Sequence, residues 1–90
     1  MRPQSSRDHE AHAAAVLFRL AARTPEEEAY FRGYGSGIAR RLAGGPGEDG
    51  YELRAFEIMQ SAADAPTRSL GIGYRDGLAG APLRDRRSSA

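Results

Sequence analysis

Apolar positions in this chain recur with the period of an α-helix, and segments containing glycine or proline interrupt the pattern. The first helical run covers residues 8–22, which are rich in Ala and Leu and contain neither Gly nor Pro. The second begins at Pro25, continues to about residue 42 and ends at a Gly-Gly-Pro-Gly sequence. Two further runs cover residues 48–63 and 67–80. The pattern therefore predicts an all-α fold with a small four-helix arrangement.

The start of the second helix is the clearest local signal. Thr24 stands where a capping hydroxyl is favoured, Pro25 fits the first helical turn, and Glu27 completes a capping box with Thr24. The acidic run that follows is what the helix dipole favours at this end. A second helix beginning at Pro25 is therefore expected.

The helices group into two hairpins, over residues 8–44 and 48–82, joined by the glycine-rich linker. One helical domain over residues 8–82 is expected. Residues 1–7 are polar and predicted to be a flexible N-terminal segment, and residues 83–90 form an Arg-rich tail predicted to be flexible as well.

The two hairpins resemble each other when the sequence is shifted by 40 residues. Gly33-Tyr34 and Gly37-Ile38-Ala39 then fall on Gly73-Tyr74 and Gly77-Leu78-Ala79. Similarity at a fixed period is typical of a duplicated supersecondary unit. The alternative is coincidence in a chain rich in Ala and Gly.

Glycines inside predicted helices need a physical reason, because each costs roughly 1 kcal/mol relative to Ala. In both hairpins the glycines line one edge of an apolar stripe that contains a tyrosine. We interpret them as positions where a neighbouring backbone or ring approaches the helix closely. A phosphate-binding glycine loop is not indicated, because no strand precedes these segments and the glycine spacing differs.

The first and third helices carry apolar residues on two opposite sides, which predicts burial on both sides. On the first helix, Val16, Leu17 and Leu20 form one face and Phe18 projects opposite; on the third, Ile58 opposes the main face. Ile72 has no evident partner in the fourth helix. The predicted close-packing or interface residues are Phe18, Tyr30, Gly33, Tyr34, Gly37, Ile58, Ile72, Gly73, Tyr74 and Gly77.

A chain of 90 residues has a small core, so a homodimer is the expected source of additional stability. There is no Cys, which excludes disulfides and thiolate metal sites, and no apolar run reaches membrane-spanning length. The N-terminus shows no signal peptide. We therefore expect a cytoplasmic location and no membrane association.

No residue pattern indicates catalysis. His9 and His12 lie close to carboxylates, but their spacing is not that of a zinc peptidase and a third ligand is not apparent. They are weak candidates for a metal site. Neither an enzyme activity nor a cofactor is expected.

The chain contains 13 Arg and no Lys, an observation that coding bias in a GC-rich genome or selection for the guanidinium would explain. Nucleic-acid binding through an Arg face and tail is the alternative function, although the net charge is only +1. Its candidate residues are Arg32, Arg40, Arg41, Arg84, Arg86 and Arg87.

The function we expect is that of a non-catalytic protein–protein interaction module. Such a module would be a small regulator or inhibitor that docks on a larger protein, self-associates, or does both. Chains of this size and composition are common among phage and plasmid accessory proteins, including inhibitors of host defence enzymes. The identity of a protein partner does not follow from the sequence.

Overall fold

The computed structural model describes the backbone of residues 4–45 and 50–83. Within these residues the chain forms four α-helices: α1 (Gln4–Leu20), α2 (Pro25–Leu42), α3 (Tyr51–Met59) and α4 (Ala65–Leu78). The all-α prediction is confirmed, since the described ranges contain no strand. No helix in those ranges has both the length and the apolar character that a membrane crossing requires.

Helix α2 begins and ends where the sequence predicts. The Thr24 hydroxyl accepts a hydrogen bond from the Glu27 backbone N–H at 3.1 Å, and Pro25 occupies the first turn. The Glu27 carboxylate in turn accepts the backbone N–H of Arg23 at 3.2 Å. Local capping chemistry therefore fixes the start of this helix.

The other helix bounds differ from the prediction. Helix α1 begins at Gln4, four residues before the predicted start at residue 8, and no Gly or Pro interrupts residues 4–7. Helix α3 is shorter at both ends and follows Gly50, which has a left-handed φ of 63°. Residues 46 and 47 of the predicted linker, the predicted start of the third helix at residues 48–49, and residues 84–90 of the predicted tail lie outside the described part of the chain.

Helix α4 begins two residues earlier than predicted, because Asp64 acts as its N-cap. The Asp64 carboxylate accepts hydrogen bonds from the Thr67 hydroxyl at 2.5 Å and from the Thr67 backbone N–H at 3.0 Å. These bonds hold the pKa of Asp64 below its ordinary value. Pro66, predicted to break a helix, instead stands in the first turn of α4, where its missing N–H costs nothing.

Helices α2 and α4 form the centre of the molecule and make its most extensive contact. Helix α1 packs against α2, helix α3 packs against α4, and α1 and α3 do not touch within the described residues. The buried hydrophobic side chains come mainly from α2, with Tyr74 from α4 and Ala15 from α1. Each outer helix therefore packs on one of the two central helices.

Four glycines bring the backbones of α2 and α4 into direct contact. A Cβ atom at Gly33 would overlap the carbonyl oxygen of Leu70, and one at Gly37 would overlap that of Tyr74. The contact is reciprocal, because Gly73 faces the carbonyl oxygen of Tyr30 and Gly77 faces that of Tyr34. Removing the side chains at these positions is what permits this approach.

The outer helices dock in two different ways. Phe31 of α2 fills the space between α2 and α1, and its ring stacks on Phe18 with centroids 5.3 Å apart. Gly71 stands 40 residues after Phe31, and a Cβ there would lie 2.6 Å from the Phe56 carbonyl oxygen. Helix α3 therefore lies directly on the α4 backbone, where the Phe56 ring stacks on Tyr74 at 4.0 Å.

The hydroxyl groups of the three fully buried tyrosines bind partners from other segments. Tyr30 donates to the buried carboxylate of Asp76 at 2.7 Å, which joins α2 to α4. Tyr34 donates to the Ala81 carbonyl oxygen at 2.6 Å and holds the segment that follows α4. Tyr74 donates to Glu52 at 2.8 Å, which joins α4 to α3. Each ring thus contributes apolar area to the core without leaving its oxygen unpaired.

We predict that Gly37→Ala destabilises the protein and that Gly35→Ala does not. The added Cβ at position 37 meets backbone atoms of α4, so a loss of about 1–3 kcal/mol is expected from overpacking. At position 35 a Cβ meets nothing within 4 Å, and the gain in helix propensity should raise stability by up to about 1 kcal/mol. Urea unfolding of both variants measures the two changes. Equal effects at both positions would contradict the packing assigned to Gly37.

Candidate interaction surfaces

Helix α1 presents an apolar surface to solvent, which we call the α1 face: Ala13, Val16, Leu17 and Leu20. Leu17 is 68% exposed and Leu20 is 79% exposed, whereas Ala15 on the opposite side is buried against α2. The four residues follow the i, i+3, i+4, i+7 spacing of a continuous stripe on a helix. An amphipathic helix normally turns such a stripe inward, so this one is available to a partner.

Helix α3 carries a second exposed apolar surface, the α3 face, formed by Tyr51, Ala55 and Ile58. Tyr51 is 76% exposed and Ile58 is 75% exposed, and together with Arg54 and Ala55 they line a surface depression of about 410 Å³. The opposite side of α3 holds Phe56, which stacks on Tyr74. Each outer helix therefore has one side docked in the fold and one apolar side facing solvent.

Covering either face would release a substantial amount of free energy. Full burial of a Leu or Ile side chain is worth about 1.5–3 kcal/mol relative to exposure. Large apolar side chains that cluster on one helix side are a mark of binding surfaces, whereas isolated ones are common on any protein. The α1 face meets this condition best, because Leu17 and Leu20 are neighbours on one stripe.

Most of the predicted packing and interface residues lie inside the molecule. The structure places these in the contact between α2 and α4: Tyr30, Gly33, Tyr34, Gly37, Gly73, Tyr74 and Gly77. Within the described residues they face each other and not solvent. Ile58, in contrast, lies on the surface as part of the α3 face.

Phe18 and Ile72 have internal partners. Phe18 packs on Phe31 and lies partly buried at the core, so the side of α1 that faces outward is that of Leu17 and Leu20. Ile72 also packs against the core, which corrects the expectation that it lacks a partner. The sequence shows that α1 has two apolar sides, but only the position of Phe31 decides which side faces inward.

The predicted Arg face of α2 is engaged in ion pairs. Arg32 lies 3.3 Å from Glu28, one helical turn earlier, and Arg19 binds the same carboxylate at 2.7 Å. Burial raises the pKa of Glu28, but the two guanidinium groups outweigh it and hold the value below the ordinary one. Arg41 pairs with Asp8 at 2.9 Å. Arg84, Arg86 and Arg87 lie outside the described residues.

Glu52 joins α3 to both central helices. Its carboxylate accepts hydrogen bonds from Arg40 of α2 at 3.1 Å and from the Tyr74 hydroxyl of α4 at 2.8 Å. The Arg40 bond, followed by the Tyr74 bond, holds the pKa of Glu52 below its ordinary value. Burial, followed by the bond to Glu52, raises the pKa of Tyr74 to about 12. This polar junction fixes the orientation of α3 and hence of the α3 face.

His9 and His12 lie on α1, the first exposed and the second half-buried. Among the described residues, no three His, Cys, Asp or Glu side chains come close enough to hold a metal ion. His12 lies beside Val16 and Arg19 in a shallow depression over α2. The two histidines are therefore not brought together with further ligands.

We predict that Tyr74 ionises near pH 12 in the folded protein. Because its pKa is raised from an ordinary value of 10.0, its contribution to stability is complete below pH 10 and is lost as the pH rises towards 12. An ultraviolet phenolate titration of the wild type minus that of Tyr74→Phe isolates the group. A midpoint near 10 in this difference would contradict the part-buried hydrogen bond to Glu52.

Comparison with known proteins gives no relative for this chain: no family model, curated protein or solved structure matches it.

Proposed function

We propose that this protein is a non-catalytic interaction module that binds other proteins through the α1 face and the α3 face. The observation that carries the proposal is the exposure of large apolar side chains on one whole side of each outer helix. Both helices already dock by their opposite sides, so the exposed sides are not needed to build the fold. A small regulator or inhibitor that docks on a larger protein has this organisation.

The arrangement of the two helices supports the same proposal. Helices α1 and α3 lie on different central helices and do not touch each other within the described residues. Two separate faces allow two contacts to form at once, one with each face. We propose accordingly that one face serves self-association and the other a target protein.

We also propose that the two hairpins are copies of one unit. The reciprocal glycine contacts support duplication, since Gly33 and Gly37 and their counterparts 40 residues later meet equivalent carbonyl oxygens. The unequal docking of α1 and α3 then follows from the change between Phe31 and Gly71. If the two hairpins are copies of one unit that diverged at the position of Phe31 and Gly71, the same original unit now presents two different exposed faces.

Nucleic-acid binding is a weaker proposal on the described residues. Arg32, Arg40 and Arg41 each pair with a carboxylate, so a phosphate would have to displace an existing ion pair. A duplex-binding assay over a salt series tests this alternative, because binding through several phosphates weakens steeply as salt rises.

The test of the interaction proposal is affinity capture from the native host with three matched variants. Leu20→Glu places a charge on the α1 face, Ile58→Glu places one on the α3 face, and Ala39→Glu places one on an exposed position of α2 outside both faces. We expect each face variant to lose at least one captured protein that the wild type and Ala39→Glu retain. Circular dichroism should show unchanged helix content in all three.

Identical captured proteins for all four baits would overturn the proposal. So would the loss of every partner from Ala39→Glu, because binding would then depend on a surface other than the two faces.

A further inference from the structure

We infer that α3 opens as a unit while α1, α2 and α4 stay folded, and that the opening uncovers a part of α4 that α3 covers in the closed molecule. Folded proteins open locally in cooperative units, and the units that open most readily have few buried apolar contacts. This opening is a property of the fold itself, so it occurs whether or not the α1 face and the α3 face bind other proteins.

The described residues form an apolar core to which α3 contributes no residue. The members of this core come from α1, α2, α4 and the segment after α4: Ala11, Ala15, Phe18, Tyr30, Phe31, Tyr34, Ile38, Ile72 and Leu83. None of the nine residues of α3 is buried. Departure of α3 therefore leaves the core contacts in place, which is the condition for a partial opening.

The contacts that hold α3 lie on one side of the helix. Within the described ranges, the backbone of α3 comes close to that of α4 and to no other helix. The Phe56 ring stacks on Tyr74 at 4.0 Å, and the pair between Glu52 and Arg40 reaches α2. The side chains of Arg40 and Glu52 remain 36% and 40% exposed, so water screens this pair and it adds little stability.

Opening of α3 uncovers one face of the Tyr74 ring and the main chain of α4 at Gly71. In the closed molecule Tyr74 is 1% exposed, and the Phe56 ring lies almost parallel to it, at an interplanar angle of 4°. A Cβ at Gly71 would lie 2.6 Å from the Phe56 carbonyl oxygen, so the α4 backbone is also covered there. The α3 face keeps its fixed orientation only in the closed state, whereas Tyr74 and Gly71 meet solvent only in the open state. Helix α3 therefore acts as a lid on this side of α4.

Native-state hydrogen exchange, measured by NMR over a series of low urea concentrations, tests the opening. We expect the amides of residues 55–59 to share one opening equilibrium that is at least about tenfold more populated than that of the α2 amides. Their opening should depend on urea, but less steeply than global unfolding, because only part of the surface becomes exposed. Equal opening of α3 and α2 would overturn the inference. So would a complete lack of urea dependence, because α3 would then fray residue by residue.

Two conservative variants separate opening of α3 from unfolding of the whole chain. Ile38 belongs to the core that stays intact in the open state, so Ile38→Val should speed exchange of the α2 amides about two- to tenfold and leave the α3 amides unchanged. Gly71→Ala places a Cβ against α3, so it should speed exchange of the α3 amides at least about fivefold. The α2 amides should respond less to Gly71→Ala, because Ala also favours the helical state of α4.

The pattern across the two variants decides the result. Equal acceleration of both groups of amides by Ile38→Val would show that α3 opens only with the whole molecule. Unchanged α3 exchange in Gly71→Ala would show that α3 does not depend on its contact with α4. Either outcome overturns the inference, and circular dichroism of both variants checks that their helix content is retained.

Discussion

Direct contact between the backbones of α2 and α4 is the constraint on which the rest of this fold depends. Gly33, Gly37, Gly73 and Gly77 each face a carbonyl oxygen of the opposite helix, so no layer of side chains separates the two. The contact sacrifices helix propensity at these positions, and close packing of the two backbones offsets that cost. Because the glycines occupy the contact line, the large side chains of both helices are displaced to its flanks.

The tyrosines beside the glycine contact link the central helices to each other and to the neighbouring segments. Their rings fill the space beside the glycine line, and their hydroxyl groups reach Asp76, Glu52 and the Ala81 carbonyl oxygen. The outer helices need only one side each to dock on this centre. Because each outer helix docks by one side only, α1 and α3 each keep an apolar side exposed to solvent. The proposed interactions depend on these exposed sides.

Local chemistry predicts much of this structure, and tertiary contacts decide the rest. The cap at Thr24 and the stop after Leu42 are encoded within a few residues, so the bounds of α2 follow from the sequence alone. The close approach at Gly33 and Gly73 is also predicted from the sequence, because glycine inside a helix lowers stability unless a neighbouring group packs closely against it. The cap at Asp64 is encoded just as locally. The sequence pattern nevertheless predicts a later start for α4, because Pro66 is read there as ending a helix and not as part of a first helical turn.

The exposed side of α1 could not be read from α1 itself. Both of its sides are apolar, and the ring of Phe31 on a different helix selects Phe18 for the interior. The glycine contact, in contrast, leaves almost no freedom of substitution, because every other amino acid adds an atom where a carbonyl oxygen already lies. Distant relatives of this chain should therefore be recognisable by a twofold G-Y-x-x-G signature with a fixed interval, even where the surfaces that choose their partners have diverged completely.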